Sequence, residues 1–412
     1  MSLVTMKFGG TSVADAEKIK NVAGRIATAK RRGDDVVAVV SARGSTTDRL
    51  EELAREVSDR PDPREMDMLL STGERISCAL MAMALHDLGL SARSFTGSQA
   101  GIVTDTAHTR AKILEVRADR LSEALASDHI VLVAGFQGVS EERDVTTLGR
   151  GGSDTSAVAL AAALGADLCE IYTDVRGVFT ADPRAEPRAV KLPRISHEEM
   201  LEMAAMGSRV LALRSVEFAR RHDVPLHVRS SVGDEEGTWI TKETPDMEDA
   251  IVTGIAHKSD EAKITVSGIQ DEPGVAASLT TALADASVNV DTIIQNVGEG
   301  GLADMSFTVP LSELGEAVAA IEGTGGGLRY RELTSDDQIG KVTLVGAGMR
   351  SNPGVAATMF RTLAAEGINI KMIDTSTIRI TVVIDRRQVE RAVRALHEAF
   401  GLADEAVRRA DV

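Results

Sequence analysis

Over residues 1–245, short apolar runs rich in β-branched residues alternate with longer stretches of helical spacing. The runs at 36–40 (VVAVV), 130–134 (IVLVA) and 168–173 (LCEIYT) are each bounded by Gly, Ser or Asp, which predicts buried parallel strands. Between them, apolar periodicity predicts helices over 14–32, 67–88, 111–126 and 155–164. Strand–helix alternation of this kind predicts an α/β sandwich with a mainly parallel central sheet. Such sheets bind their ligands beyond the carboxyl ends of the strands, so the loops there are the places to search.

The pattern changes after 241–249 (TKETPDMED), a polar stretch containing Pro245 that reads as a boundary. Beyond it the chain repeats itself. Pro273, Gly274, Val275, Ala276 and Ala277 recur 80 positions later as Pro353, Gly354, Val355, Ala356 and Ala357. Leu283, Ala284, Asn289 and Ile293 recur at the same offset as Leu363, Ala364, Asn369 and Ile373. Two copies of one α+β module follow, each with a strand, a Pro-Gly turn, a helix, two strands and a helix. Residues 327–333 would close the first copy with a last strand. Residues 250–256 (AIVTGIA) form an otherwise unpaired strand that would supply the second copy's missing one, making the first copy an insertion in the second. The expected organisation is a first domain over 1–245, a linker plus strand over 246–262, and modules over 263–336 and 337–412.

The 412 residues are enough for two or three domains. With 46 basic and 62 acidic residues the formal charge is −16, which repels nucleic acid and anionic membranes but leaves room for a small anionic ligand at a local site. Cys78 and Cys169 make no disulfide framework and read as buried thiols. No apolar run reaches the roughly 18 residues of a membrane span, and the N-terminus lacks a signal-peptide pattern, so a cytoplasmic protein is expected. No GxxxxGK[ST], GxGxxG or HExxH occurs, and the His and Cys residues are too scattered for a metal cluster.

What the first domain offers is a series of Gly/Ser/Thr loops beside charged residues. Lys7–Ser12 (KFGGTS) supplies two glycines and a cation, which suit an oxyanion or make a plain strand–helix turn. Ser41–Asp48 (SARGSTTD) offers hydroxyls that either grip an anion or cap a helix. Glu74, in LLSTGERIS, either meets an ammonium or is a solvated helix residue. Gly149–Ala157 (GRGGSDTSA) makes a second anion site with Arg150, places Ser153 at a helix cap and puts Asp154 in the first turn, where the dipole favours it in any case. Tyr172–Arg184 (YTDVRGVFTADPR) has the turn residues of a nucleotide-shaped loop. Two glycine-rich cationic loops without a nucleophile–base pair suit phosphoryl transfer, which needs positioning and charge neutralisation.

In this order, KFGGTS, the Ser-Ala and Thr-Thr-Asp loop, TGERIS, GRGGSDTSA, TDVRGVFTADPR and the paired modules resemble the aspartokinases, from Lys7 to the end of the chain. The resemblance implies the amino-acid kinase fold followed by two ACT domains, small βαββαβ units that bind amino acids. It implies MgATP-dependent phosphorylation of the β-carboxylate of L-aspartate, the first step towards lysine, threonine and methionine. Lys7, Asp154 and Arg150 would be catalytic. Lys7, Phe8, Gly9, Gly10, Thr173, Asp174, Phe179, Arg184 and Arg209 would hold the nucleotide. Ser41, Thr47, Glu74, Arg150, Gly151, Gly152 and Ser153 would hold aspartate. The effectors, threonine and lysine in the class it resembles, would meet Asp271, Gly274, Val275, Ala276, Asn289, Val290, Asp291, Gln295, Val355, Ala356, Asn369, Ile370, Ser376 and Thr377. No protein-derived metal site is implied.

A homo-oligomer is expected, or association with a separate regulatory piece, 247–412, made from an internal start at Met247. The chain departs from the family's usual residues at Arg43, Arg176, Phe179, Arg209 and Ala356, where Met, Asp or a small residue, Tyr, Lys and Thr are common. These changes bear on nucleotide affinity and effector preference. Two other readings are a kinase of the same fold acting on another amino-acid carboxylate, and a catalytically inactive amino-acid sensor.

Overall fold

The computed structural model describes residues 2–242, 251–324 and 328–403. They fall into two units, one of Met1–Phe179 with Lys191–Met247 and one of Thr180–Val190 with Glu248–Val412.

The first unit is built on an eight-stranded sheet in the order Arg194–Ser196, Thr238–Thr241, Leu226–Ser230, Leu168–Thr173, Leu3–Phe8, Asp35–Val40, Ile130–Ala134, Ala92–Phe95. Every neighbouring pair is parallel except Leu226–Ser230 with Thr238–Thr241. The three runs singled out by their β-branched content lie at its centre, buried on both sides. On one face Met6, Phe8, Ala38 and Val40 pack on Ile19, Val22, Ala23 and Ile26 of the helix Ala16–Arg31, and on Met81 and Leu85 of the helix Thr72–Asp87. Asp15 starts the first of these helices by accepting the Lys18 N–H. The helix Gly152–Leu164 is buried over its first ten residues, which is why its sequence is apolar all round.

Some expectations are corrected. The helical stretch over 67–88 is two helices, Pro63–Leu70 and Thr72–Asp87, meeting at Ser71. Together they have the length and apolarity of a membrane span, but Leu70, Cys78, Met81 and Leu85 are buried in the protein. The helix over 111–126 is only Asp119–Ala126, because Ile113–Val116 (ILEV) is a strand paired with Ile102–Thr104. With Gln137–Ser140 and Val145–Thr147 these make a second, four-stranded sheet. Its strands of three or four residues are too short for alternation to register.

The second unit carries one six-stranded sheet in the order Ile293–Val297, Leu302–Pro310, Gly254–Gln270, Glu332–Val345, Arg379–Asp385, Met372–Thr375. The two long central strands each serve both copies. Residues 254–258 pair with 341–345 of the second copy, while 263–267 pair with 332–336, which close the first. The strand ahead of the first copy therefore does complete the second, starting at Gly254; Ala250, Gly327 and the boundary residues 243–249, Met247 among them, lie outside the described residues. Each copy has its own core. Gly274 (φ +101°) and Gly354 (φ +110°) cap the equivalent helices Val275–Asp285 and Val355–Ala365 in a backbone conformation that favours glycine. Thr180–Val190, which the sequence leaves in the first stretch, puts Ala181 and Ala185 into the second copy's core.

Candidate active site

The carboxyl ends of four adjacent strands, Leu168–Thr173, Leu3–Phe8, Asp35–Val40 and Ile130–Ala134, bring most of the suspected loops together. Strand alternation turns Met6 and Phe8 into the apolar layer and sends Lys7 to the opposite face. There its Nζ lies 2.5 Å from a carboxylate oxygen of Asp154, both side chains being nearly buried. Asp154 stands in the first turn of the helix Gly152–Leu164. Ser153 is in that turn too rather than at the cap, a position held by Gly151 with φ +75°.

The glycines are there because backbones meet. A Cβ on Gly10 would stand 2.7 Å from the Ala42 carbonyl, and the Gly10 carbonyl accepts the Gly44 N–H at 2.9 Å. A Cβ on Gly73 would press to 2.8 Å from that of Ala42. Gly9 donates to the Tyr172 carbonyl at 3.3 Å, which ties the first glycine loop to the strand before Thr173 and Asp174.

Glu74 is buried, 3% exposed, in the first turn of the helix Thr72–Asp87. One of its oxygens accepts the Ala42 N–H at 3.2 Å; the other has no partner among the described residues. Burial pushes its carboxyl up to about 7, against the pull of the backbone N–H groups and Arg75. A half-satisfied buried carboxylate of this kind is receptive to an ammonium.

Arg150 is exposed in the turn between Gly149 and Gly151. That turn is held by residues that sequence reasoning missed. Arg214 donates to the carbonyls of Leu148 (2.8 Å) and Ala111 (3.0 Å). Asp67, wholly buried, accepts from Thr147 Oγ1 (2.5 Å) and the Thr109 N–H (3.0 Å) and meets His108 Nδ1 at 2.7 Å. A Cβ on Gly149 would lie 3.0 Å from the Thr109 carbonyl, so the Asp67 network supports the Arg150 turn. A lone Asp in an apolar helical stretch was the available signal. Gly135 was also missed; a Cβ there would come within 2.8 Å of Ser153 Oγ.

Other expected residues are placed less tightly. Phe8 is buried and stacked on Tyr172 at 4.8 Å, so only its backbone can face a ligand. Ser41 and Thr47 are half-buried, Thr47 in the first turn of the helix Thr46–Val57. Thr173 Oγ1 donates to Asp174 at 3.1 Å. Phe179 bridges to Lys191, Arg209 is exposed, and Arg184 belongs to the second unit, on Asp182 at 2.7 Å. Arg43 donates to the Ala14 carbonyl and Arg176 lies 3.7 Å from Glu235. Among the described residues no three His, Cys, Asp or Glu side chains gather as a metal cage.

In the second unit, a cavity of about 200 Å³ is lined by Asp271, Gly274, Val275, Ala276, Gln295 and Met305, among others. Gln295 donates to Asp271 across 3.5 Å. Asn289 donates its N–H to Glu313, and Asp291 is engaged by the buried Lys341. Val355 is buried and Ala356 and Ile370 pack against the same core, whereas Asn369, Ser376 and Thr377 are exposed.

The amino acid kinase family model matches residues 2–230, and the ACT domain model matches 264–324 and 342–400. The chain is 57% identical to the aspartokinase of Mycolicibacterium smegmatis, covering 99% of this chain and 98% of that one. It is 54% identical to the aspartokinase of Corynebacterium glutamicum, over 99% and 98%. Among solved structures, E. coli aspartokinase III in complex with aspartate and ADP superposes with a TM-score of 0.83 at 25% identity, covering 96% of this chain and 99% of that one.

Proposed function

The chain belongs to the aspartokinases, within the amino acid kinase family, and on that premise we propose how its own residues carry the reaction. The enzyme transfers the γ-phosphoryl group of ATP to the β-carboxylate of L-aspartate. A carboxylate oxygen forms the new bond to phosphorus, the bond to the β–γ bridging oxygen breaks, and ADP leaves with that electron pair. The transferring group spreads negative charge over its oxygens, so catalysis rests on positioning and charge neutralisation.

The observation that carries the assignment is Lys7 held at 2.5 Å by Asp154 where the two glycine loops converge. Asp154 fixes the ammonium of Lys7 on the path of the phosphoryl group. The turn at Gly9 and Gly10, without Cβ atoms, lets the phosphate oxygens approach Lys7, and Gly152 lies on the substrate side. Glu74 takes the α-ammonium of aspartate, Arg150 a carboxylate, and Ser41, Thr47, Gly151 and Ser153 complete the substrate contacts. Thr173, Asp174, Phe179 and Arg209, all of the first unit, are assigned to the nucleotide. The donor set fits a Mg²⁺ carried on the nucleotide phosphates, with Asp154 the nearby carboxylate, better than a protein-built cage. That ion would supply further neutralisation of phosphate charge.

The cavity at Asp271 and Gln295 is assigned to threonine, whose carboxylate suits the backbone N–H groups at Gly274–Ala276 and whose ammonium suits Asp271. Lysine is the partner effector, with Asn289, Val290 and Asp291 and the second-copy residues Val355, Ala356, Asn369, Ile370, Ser376 and Thr377 as its or threonine's further contacts. The edge strands expose Ile293 (49%) and Ile373 (42%) at equivalent positions of the two copies, which favours pairing with a second chain. Two free, buried cysteines suit a cytoplasmic setting.

Trapping the acyl phosphate with hydroxylamine tests the assignment. Hydroxamate should form with ATP and aspartate and be far weaker with glutamate. Equal yields from both would point to a broader carboxylate kinase.

A further inference from the structure

A cavity of about 440 Å³ in the first unit does not open at Lys7. Met6 and Tyr172 line it, so it lies on the sheet face opposite the reactive pair. Its wall is one stripe of the helix Ala16–Arg31, Asn21, Gly24, Arg25 and Thr28, continued by Arg32 just past its end.

The floor of this cavity is polar where strands this deep in a sheet are usually apolar. Tyr172 donates its hydroxyl to Glu170 at 2.8 Å and Arg229 donates Nη1 to the other oxygen at 3.1 Å. Arg229 Nε is shielded from solvent and has no acceptor among the described residues. The guanidinium groups of Arg25 and Arg229 both lie over the Tyr172 ring, at 5.0 and 5.8 Å. Arg25 is met by the Gly233 carbonyl and by Asp234, each at 3.1 Å, yet the Asp234 side chain is 94% exposed on its loop. That carboxylate stands where an incoming anion would, and so little packing holds it that it can yield.

Gly24 is the independent sign. Within a helix, glycine costs about 1 kcal/mol relative to alanine. A Cβ on Gly24 would meet nothing within 4 Å, so nothing in the chain requires its absence. The space it leaves opens into the cavity.

We propose that this cavity is a second anion site, separate from the phosphoryl-transfer site, which takes the phosphate group of a small metabolite. Three arginines line it in a chain whose overall charge is −16; Arg229 is held by the Glu170 of its floor, while the partners of Arg25 and Arg32, Asp234 at 3.1 Å and Asp34 at 3.4 Å, are ones an anion can replace. Guanidinium groups pair with phosphate oxygens bidentately, and converging arginines suit a dianion better than a single carboxylate. The inference stands independently of how the chain binds aspartate and ATP.

Calorimetric titration of the full-length protein with inorganic phosphate, its catalytic site saturated with ADP and aspartate, tests the site. Arg25→Gln removes a donor, and Gly24→Leu fills the space with a better helix former. Each should weaken phosphate binding by about tenfold or more, the loss expected of one charged hydrogen-bonding partner, while kcat and both KM values stay as in the parent. Tighter binding of glycerol 3-phosphate than of phosphate would identify an ester as the ligand, and equal binding the free ion. No phosphate binding by the parent, or undiminished binding by folded Gly24→Leu protein, would overturn the proposal. Succinate binding as tight as phosphate would overturn the choice of anion.

Discussion

Glu74 shows what a single residue can disclose. Its carboxyl, pushed up to about 7 by burial, is raised above the unfolded value, so the folded state holds the proton more tightly. Its contribution to stability is therefore present at low pH and is lost as pH rises from about 4.5 to about 7. At about 1.4 kcal/mol per unit this amounts to as much as about 3 kcal/mol. Glu74→Gln should accordingly melt higher than the parent at pH 8 without ligands and match it near pH 4.5. The parent's kcat/KM for aspartate should fall below about pH 7, where protonation removes the proposed partner of the ammonium, and the same variant should lose that fall. A parent profile flat from pH 6 to 8 would remove Glu74 from the substrate site. Lys7, Glu74 and Asp154 stood out as charged side chains among glycines and apolar residues, but only the family resemblance chose between a site and a solvated or capping position for Glu74 and Asp154. The Ala42 N–H and the clearance at Gly135 were not, since a backbone donor and an empty volume leave no mark on residue type.

At the scale of elements, strands and helices of full length were readable from periodicity, and short pieces were not. Residues 130–134 and 168–173 are strands with the predicted ends, while Ile113–Val116 was absorbed into a helix because four residues fit either period. The cost of that miss is functional, since the second sheet and the Asp67 network together carry the turn bearing Arg150. Asp67→Ala would leave the buried Thr147 hydroxyl, and with it the Thr109 N–H, without their acceptor. Urea denaturation should show a loss of about 2–4 kcal/mol, as for other broken buried networks. Because the turn loosens with it, KM for aspartate should rise more than KM for ATP. Equal changes in both would mean that the network serves stability alone.

The whole molecule joins a catalytic unit to a duplicated one whose copies have diverged in charge. Glu261 and Lys341 occupy equivalent positions, 80 residues apart, and form a buried pair at 2.9 Å, with Asp291 as a second partner of Lys341. Opposite charges at equivalent sites match each copy to the other and oppose pairing of like with like. The repeat itself was visible in the sequence; that its central strands run through both copies was not, because strand sharing is a property of pairing rather than of composition. Divergence also makes the two proposed effector sites unequal: Gln295 has Thr375 as its counterpart. Asp271→Ala and Gln295→Ala should relieve inhibition by threonine with lysine while leaving uninhibited turnover unchanged. Coupling of about 1–3 kcal/mol corresponds to a shift of about 5- to 150-fold in inhibitor response. Unchanged inhibition in both variants would remove this cavity from regulation.

All of this depends on the first unit transferring phosphate through Lys7, and one measurement addresses that directly. Turnover of Lys7→Ala, followed by hydroxamate formation from ATP and aspartate in protein shown to be folded, should fall by at least about 100-fold, the loss typical of a preorganised charge-stabilising donor. Turnover near that of the parent would contradict the account.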